Sequence, residues 1–248
     1  MRTVGAKPLE RAGFDEMPEE SDTPEVSAVV FDMDGVLVES ERYWTEEMHD
    51  IIEAAYPPDA DVTPADLTGV SIYDQYDTFG AEYEMRVDRD AYFELYDDVA
   101  ESIYLEKADV TDGAADLVRE LERAGLPVGL ATSSFPQWVA WVLERMDLEG
   151  VFDAEVLAPE LDEPGKPEPY IYEEAARRLG VDPERCLVVE DSASGIEAAA
   201  RAGAYVLAYR PPDSGGEQDV SRADEVAEGP AELRERVREL ALPRNEKN

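Results

Sequence analysis

Cysteine and histidine are all but absent: the 248 residues hold one of each, Cys186 and His49. One cysteine excludes an intrachain disulfide and a cysteine-based metal cluster. One histidine argues against a Ser-His-Asp or Cys-His catalytic site and against a multi-histidine metal site, since each needs its histidine plus partners. His49 falls in a helical pattern away from other candidate groups and reads as a surface residue. Lysine is scarce too. Lys7, Lys107, Lys166 and Lys247 are the only ones, and the other basic residues are arginine. No apolar run approaches the ~18 residues a membrane span requires. The first residues lack the apolar segment of a signal peptide, so the expected location is the cytoplasm.

What the chain has in excess is acid. Sixty Asp and Glu face 22 Lys and Arg, a formal net charge of −38. A field of that sign repels nucleic acid and anionic membranes, which excludes both as default partners. It also strains the compact state by self-repulsion unless salt screens it. An acidic, lysine-poor composition resembles that of proteins from salt-accumulating archaea, so a halophilic protein is expected. The hydrophobic share of 44% suffices for one sizeable core, or for one core plus a smaller satellite domain.

Residues 1–24 carry Pro, Glu and Asp without periodicity and read as a disordered acidic segment. Val26 to Phe31 is a short apolar run without alternation, as in a strand buried on both faces. From Glu39 to about Tyr104 the spacing is helical throughout: Trp44, Met48, Ile51, Ile52 and Ala55 recur at three and four until Pro57-Pro58 ends the run. Tyr43, Trp44 and Tyr73 read as core or interface aromatics of this block. Beyond it strands and helices alternate, with strands over 126–131, 152–157, 185–189 and 205–209 and helices over 114–123, 136–146, 169–179, 195–202 and 231–240. The tract 211–217 reads as a loop. Repeated strand–helix units imply a Rossmann-like α/β fold, a parallel sheet with helices on both faces. The expected organisation is a core of 25–38 and 108–248 interrupted by an all-helical cap at 39–107.

In open parallel sheets, sites form at the carboxyl ends of the strands. Asp32 and Asp34 follow the first strand, Thr132, Ser133 and Ser134 the second, and Glu190, Asp191 and Ser192 the fourth, while Gly165-Lys166-Pro167 precedes a helix. Carboxylates brought together repel unless a cation lies between them. All-oxygen ligands suit Mg²⁺ shared with a phosphate, and hydroxyls with a lysine suit the oxygens of a phosphoryl group. The residues therefore point to a Mg²⁺ site that handles phosphate. Ser133 and Ser134 could instead cap the following helix, and Ser192 the helix after the fourth strand.

The ordered segments "FDMDGVLVES", "LATSS", "GKPEP" and "VVEDSASGIEAAARAGA" are similar to the haloacid dehalogenase superfamily of phosphohydrolases. They most resemble the branch with a helical cap after the first strand, which contains β-phosphoglucomutases and phosphoglycolate phosphatase-like enzymes. The resemblance implies Asp32 as the nucleophile that forms an aspartyl-phosphate, its pKa kept low by Mg²⁺ and Lys166. It implies Asp34 as general acid and base, with its backbone carbonyl on the metal. Gly35 would allow the sharp departure of the chain. Thr132, Ser133 and Lys166 would hold the phosphate. Asp191 would ligate Mg²⁺ with Asp32, and Glu190 would lie in the metal's shell or just outside it. The implied activity is Mg²⁺-dependent hydrolysis of a small phosphorylated metabolite, by a monomer or weak homodimer. The alternative is a phosphohexose mutase, but where the mutases carry a basic residue in a "GVSR"-like stretch this chain has Gly69-Val70-Ser71-Ile72, leaving Arg86 or Arg89 as substitutes. A 2-haloacid dehalogenase is disfavoured by Asp34.

Overall fold

β-branched and aliphatic runs become strands, and each is cut off where polar or turn-forming residues arrive. In a computed structural model that describes residues 24–67, 72–212 and 218–242, the first such run is β1 (Ala28–Phe31), followed by β4 (Val128–Thr132), β5 (Ala154–Leu157), β6 (Cys186–Glu190), β7 (Tyr205–Arg210) and β8 (Glu225–Glu228), with the two-residue β2 (Val38–Glu39) and β3 (Asp109–Val110) between. Six strands form one sheet in the order β5-β4-β1-β6-β7-β8, every neighbouring pair parallel. β1 therefore lies inside the sheet, with β4 on one side and β6 on the other. All four of its residues are buried, which explains the absence of polar alternation.

Successive side chains of a strand face opposite ways, and the two faces bury separate cores. Val29, Phe31, Leu130, Leu187, Val189 and Leu207 pack on one side against α5 (Ala114–Arg123), α6 (Pro136–Arg145) and α9 (Gly229–Ala241). Ala28, Val30, Val188 and Val206 face the other side, against α7 (Tyr170–Leu179) and α8 (Ala193–Ala202). The expected α/β sandwich with helices on both faces is what forms.

Between β2 and β3 every described element is helical: α1 (Glu41–Ala55), α2 (Pro64–Leu67), α3 (Ile72–Gly80) and α4 (Arg89–Glu101). The two crossings into this block pair with each other antiparallel, Val38 with Val110 and Glu39 with Asp109. Asp88 caps α4 by accepting from the Ala91 N–H. The chain continues directly from α4 into a π-helical segment, Ser102–Lys107. His49 is exposed, as expected, and Cys186 is buried and free.

Three expectations need correction. β8 was not foreseen, because its sequence, EVAE, holds only two apolar residues between two acids and gives little strand signal. The β2–β3 pair was missed because two residues leave no period to read. Neither Ser133 nor Ser134 caps α6: Phe135 stands at the cap position without a side-chain bond, and Pro136 follows it, where the missing N–H removes one donor to satisfy. Ser192 does cap α8, accepting from the Gly195 N–H at 3.0 Å. The segment 1–23, the stretch Gly69–Ser71, the side chain of Tyr73 and most of the loop at 211–217 lie outside the described residues.

Candidate active site

The three central strands, β4, β1 and β6, deliver their carboxyl ends to one place. Asp32 follows β1, with its N–H bonded to the Val189 carbonyl of β6 at 3.0 Å, and only 6% of the residue is exposed. Glu190 closes β6 and is fully buried. Lys166, from the loop before α7, lies between them: its Nζ donates to Asp32 Oδ1 at 2.9 Å and to Glu190 Oε1 at 2.5 Å, and it sits 5.3 Å from the centre of the Tyr172 ring. The resemblance-based grouping of Asp32, Lys166, Glu190 and Asp191 is brought together in space.

Glu190 is saturated. Oε1 accepts from Lys166 and from the Tyr172 hydroxyl at 2.8 Å; Oε2 accepts from the Asp191 and Ser192 N–H groups at 2.8 and 2.9 Å and from Ser192 Oγ at 3.0 Å. Such packing needs a glycine opposite: a Cβ on Gly195 would lie 1.7 Å from Glu190 Oε1. Burial by itself would raise the Glu190 carboxyl, but the Lys166 charge and these donors hold it below the usual carboxylate range. Tyr172 was not anticipated from the sequence; it is an apolar-face residue of α7, and nothing in its spacing announces a polar partner.

Asp191 is the opposite case. No hydrogen-bond donor meets its carboxylate among the described residues. Burial, and then the charges of Glu190 and Asp32, push its pKa well above the ordinary value. It packs against Gly35, where an added Cβ would fall 1.7 Å from Asp191 Oδ2; the same glycine has φ +76°, which bends the chain away after β1. Asp32 is pushed up to about 7 by burial, opposed by Lys166 and assisted by Glu190 and Asp34. Burial would lower the Lys166 ammonium, but Asp32 and Glu190 hold its pKa well above the usual value.

These groups fit a divalent cation. Oxygen atoms of Asp32, Glu190 and Asp191 lie within 4.8 Å of one another, and one ammonium leaves two negative charges uncompensated. Hard oxygen donors with no nitrogen or sulfur among them suit Mg²⁺.

Asp34 points elsewhere. Its Oδ1 accepts from Ser40 Oγ at 2.5 Å and from the Tyr104 hydroxyl at 2.7 Å, and its Oδ2 accepts from Ser134 Oγ at 2.5 Å. It stays near enough for its charge to act on Asp32. Its side chain is outside the group of metal-competent carboxylates, as a backbone-only ligand would be. Thr132, 1% exposed, accepts from the Ser134 N–H at 3.1 Å. Ser133 is exposed beside it. Ser40 and Tyr104 were not foreseen as site residues. Tyr104 has its pKa raised well above the usual tyrosine value by burial and then by the Asp34 charge, so its hydroxyl keeps its proton.

Arg86 and Arg89 are occupied inside the helical block. Arg86 donates to the Glu53 carbonyl at 2.6 Å, and Arg89 pairs with Asp77 at 2.6 Å.

Comparison with known proteins gives a consistent picture. The chain is 29% identical to a phosphorylated carbohydrates phosphatase of Thermotoga maritima over 178 residues, covering 72% of this chain and 82% of that one. It is 31% identical to hexitol phosphatase B of Escherichia coli K12 over 187 residues, 69% of this chain and 78% of the relative. A solved structure of a HAD family hydrolase from Deinococcus radiodurans R1, with bound phosphate and sodium, superposes with a TM-score of 0.64 at 26% identity, covering 88% of this chain and 99% of that one. The family model for haloacid dehalogenase-like hydrolases matches residues 26–203, a span that runs from the strand before Asp32 to the end of the helix after Asp191. With strands β5, β4, β1 and β6 and their carboxylate edge falling inside that match, this chain belongs to the haloacid dehalogenase-like hydrolases.

Proposed function

We propose that this protein is a Mg²⁺-dependent phosphatase of small phosphorylated metabolites that works through an aspartyl-phosphate on Asp32. The observation that carries this reading is Asp32 itself: a carboxylate at the end of the central strand, held at 2.9 Å by a buried lysine beside two further acids. An ordinary surface acid in this acidic chain has no such setting. The relatives named above as phosphatases act, by their names, on phosphorylated carbohydrates and hexitol phosphates, which supports a phosphorylated sugar or polyol as the substrate class.

In this reading Asp32 Oδ attacks phosphorus as the bond to the leaving oxygen breaks. Asp34 gives its proton to that oxygen. Asp34 then takes a proton from the water that attacks the aspartyl-phosphate, which releases phosphate and restores Asp32. Lys166 and Thr132 bind the oxygens of the transferring group, and Ser133 stands exposed at the same strand end. A Mg²⁺ held by Asp32, Asp191 and the Asp34 backbone carbonyl supplies charge neutralisation. Glu190, with both oxygens already engaged, positions Lys166 and the Asp191 loop from outside the metal's ligand set. Residues 39–107 act as the cap that selects substrate over a core of 25–38 and 108–248.

The mutase alternative is not favoured. Ile72 stands where the basic residue would be, and Arg86 and Arg89 are spent on partners within the helical block. The test is phosphate release from a panel of sugar and polyol phosphates with Mg²⁺ in molar KCl. Release that needs Mg²⁺ and disappears in Asp32→Asn is the expected result. Isomerisation of a hexose phosphate without free phosphate would displace the reading.

A further inference from the structure

The carboxylate of Asp34 is met by three hydroxyl groups from three different parts of the chain. Ser40 lies at the entry to the helical block, immediately before α1. Tyr104 lies in the π-helical segment at its exit. Ser134 lies in the core, after β4. All three hydroxyls lie within hydrogen-bond distance of the Asp34 carboxyl group, so each can donate to its carboxylate form or accept from its acid form. Tyr104 and Ser134 also stand 3.5 Å from each other.

Tyr104 is itself held from both sides. The Trp44 indole N–H of α1 donates to its hydroxyl at 3.2 Å, and the Trp44 and Trp138 rings lie 6.2 Å from its ring centre. Arg145 of α6 donates to the Tyr104 carbonyl at 2.9 Å and to the Ala108 carbonyl at 2.5 Å, which pins the widened helical turn to the core. A π-helical turn shifts the side chains around it relative to a regular helix and recurs at functional sites. Here it brings a fully buried tyrosine to a residue 70 positions earlier in the chain.

We propose that Tyr104, with Ser134, is a positioning residue for the proton transfer carried out by Asp34, and that through Tyr104 the exit linker of the helical block sets where that carboxyl group stands. The proposal rests on Asp34 being the general acid of the preceding section. Tyr104 does not touch the reacting atoms; it fixes the group that does.

Leaving-group chemistry separates this from a structural role. An alkyl phosphate expels a basic alkoxide that needs a proton from Asp34. p-Nitrophenyl phosphate expels a stable phenolate that needs none. The parameter kcat/KM covers the steps up to aspartyl-phosphate formation, so misplacing Asp34 must depress it selectively for the alkyl substrate. Tyr104→Phe and Ser134→Ala are assayed beside the unaltered protein, with the best sugar phosphate and p-nitrophenyl phosphate, and folding is followed by melting. The expected result is a fall of about tenfold or more in the alkyl-to-aryl ratio of kcat/KM for each variant, against the ~10²–10⁴-fold that general acid catalysis as a whole contributes. An unchanged ratio, whether both substrates suffer equally or neither does, overturns the proposal. If Tyr104→Phe does not fold, Ser134→Ala decides by the same ratio. If the unaltered protein hydrolyses neither substrate, it is the phosphatase reading that fails, a result distinct from an unchanged ratio.

Discussion

At the sheet edge, Lys166 lies between Asp32 and Glu190, with Asp191 beside them and without an ion-pair partner among the described residues. In the helical block, Gln75 lies between two tyrosines: its Oε1 accepts from Tyr92 at 2.9 Å and Tyr96 at 2.5 Å, its Nε2 donates to the Leu67 carbonyl at 3.0 Å, and Tyr56 meets Tyr92 at 2.9 Å. Both clusters are buried, and both are polar. The first is charged and left incomplete, with more carboxylate than the one ammonium can offset, so that burial pushes Asp32 up to about 7. The second is neutral, and its principal donors and acceptors are matched. An incomplete charged cluster is costly to fold and ready to take a cation and a phosphate. A satisfied neutral one gives the block a fixed shape. Rate should therefore depend on the first cluster, while the second should affect stability without affecting rate.

The largest effect tests the first half of that statement. Asp32→Asn should reduce phosphate release by about 10⁴-fold or more, while the circular dichroism spectrum stays native. Release within tenfold of the unaltered protein would mean that the nucleophile lies elsewhere. Next comes Lys166→Met, which keeps the length of the side chain and deletes the charge. With the lysine gone, two buried carboxylates face each other, a loss of about 3–5 kcal/mol. The pH dependence has a definite sign. The folded-state pKa of Asp32 lies above its unfolded value, so its ionisation costs stability as pH rises toward and through about 7. Glu190, whose pKa is lowered, contributes stability that is lost only as pH falls below the ordinary carboxylate range. Above the ordinary carboxylate range the raised groups, Asp32 and Asp191, therefore govern, and both act in the same direction. Denaturant melts without Mg²⁺ should show the Lys166→Met deficit larger at pH 8 than at pH 5. An equal deficit at both would mean the lysine does not compensate Asp32.

The two clusters also differ in how far they could be read from the sequence. Asp32, Thr132, Glu190 and Asp191 stand directly after apolar runs, where a strand must end, so their convergence follows from parallel topology alone. Lys166 is legible because lysine is so rare here. Tyr104 is not legible, since its role depends on a π-helical turn and on a partner 70 residues away. Ser134 was open to misreading, because a serine before a helix also suits a cap; only the position of Phe135 and the bond to Asp34 separate the two. The Gln75 cluster leaves no trace in spacing, because tyrosine and glutamine carry no signal that they will meet. Strand positions held to within a residue or two where runs were aliphatic. They failed at Glu225–Glu228, where two apolar residues between two acids form neither an apolar run nor an alternation.

A smaller effect addresses the neutral cluster. Gln75→Leu leaves the Tyr92 and Tyr96 hydroxyls buried without their acceptor, a loss of about 1–3 kcal/mol. It should appear as a lower denaturation midpoint. The alkyl-to-aryl ratio of kcat/KM should remain that of the unaltered protein, because the Tyr92, Tyr96 and Leu67 partners of Gln75 all lie within the helical block and none of them bonds to Asp34. A ratio altered as in Tyr104→Phe would erase the distinction between a cluster for rate and a cluster for shape.

The smallest effect separates both clusters from the surface. The net charge of −38 is carried largely by exposed acids, and exposed charges are screened by salt while buried pairs are screened little. Raising KCl from about 0.1 M to about 2 M should therefore stabilise the protein by about 1 kcal/mol or more, seen as a melting temperature higher by at least about 2–4 °C. The Lys166→Met deficit should be the same at both concentrations, since Lys166 and Asp32 each expose only 8% of their side chains. If the melting temperature does not move with KCl, the acidic surface is not a salt adaptation. If the deficit shrinks in step with salt, the site is more open to solvent than its burial implies, and the contrast between a buried, incomplete charge cluster and a screened surface would have to be withdrawn.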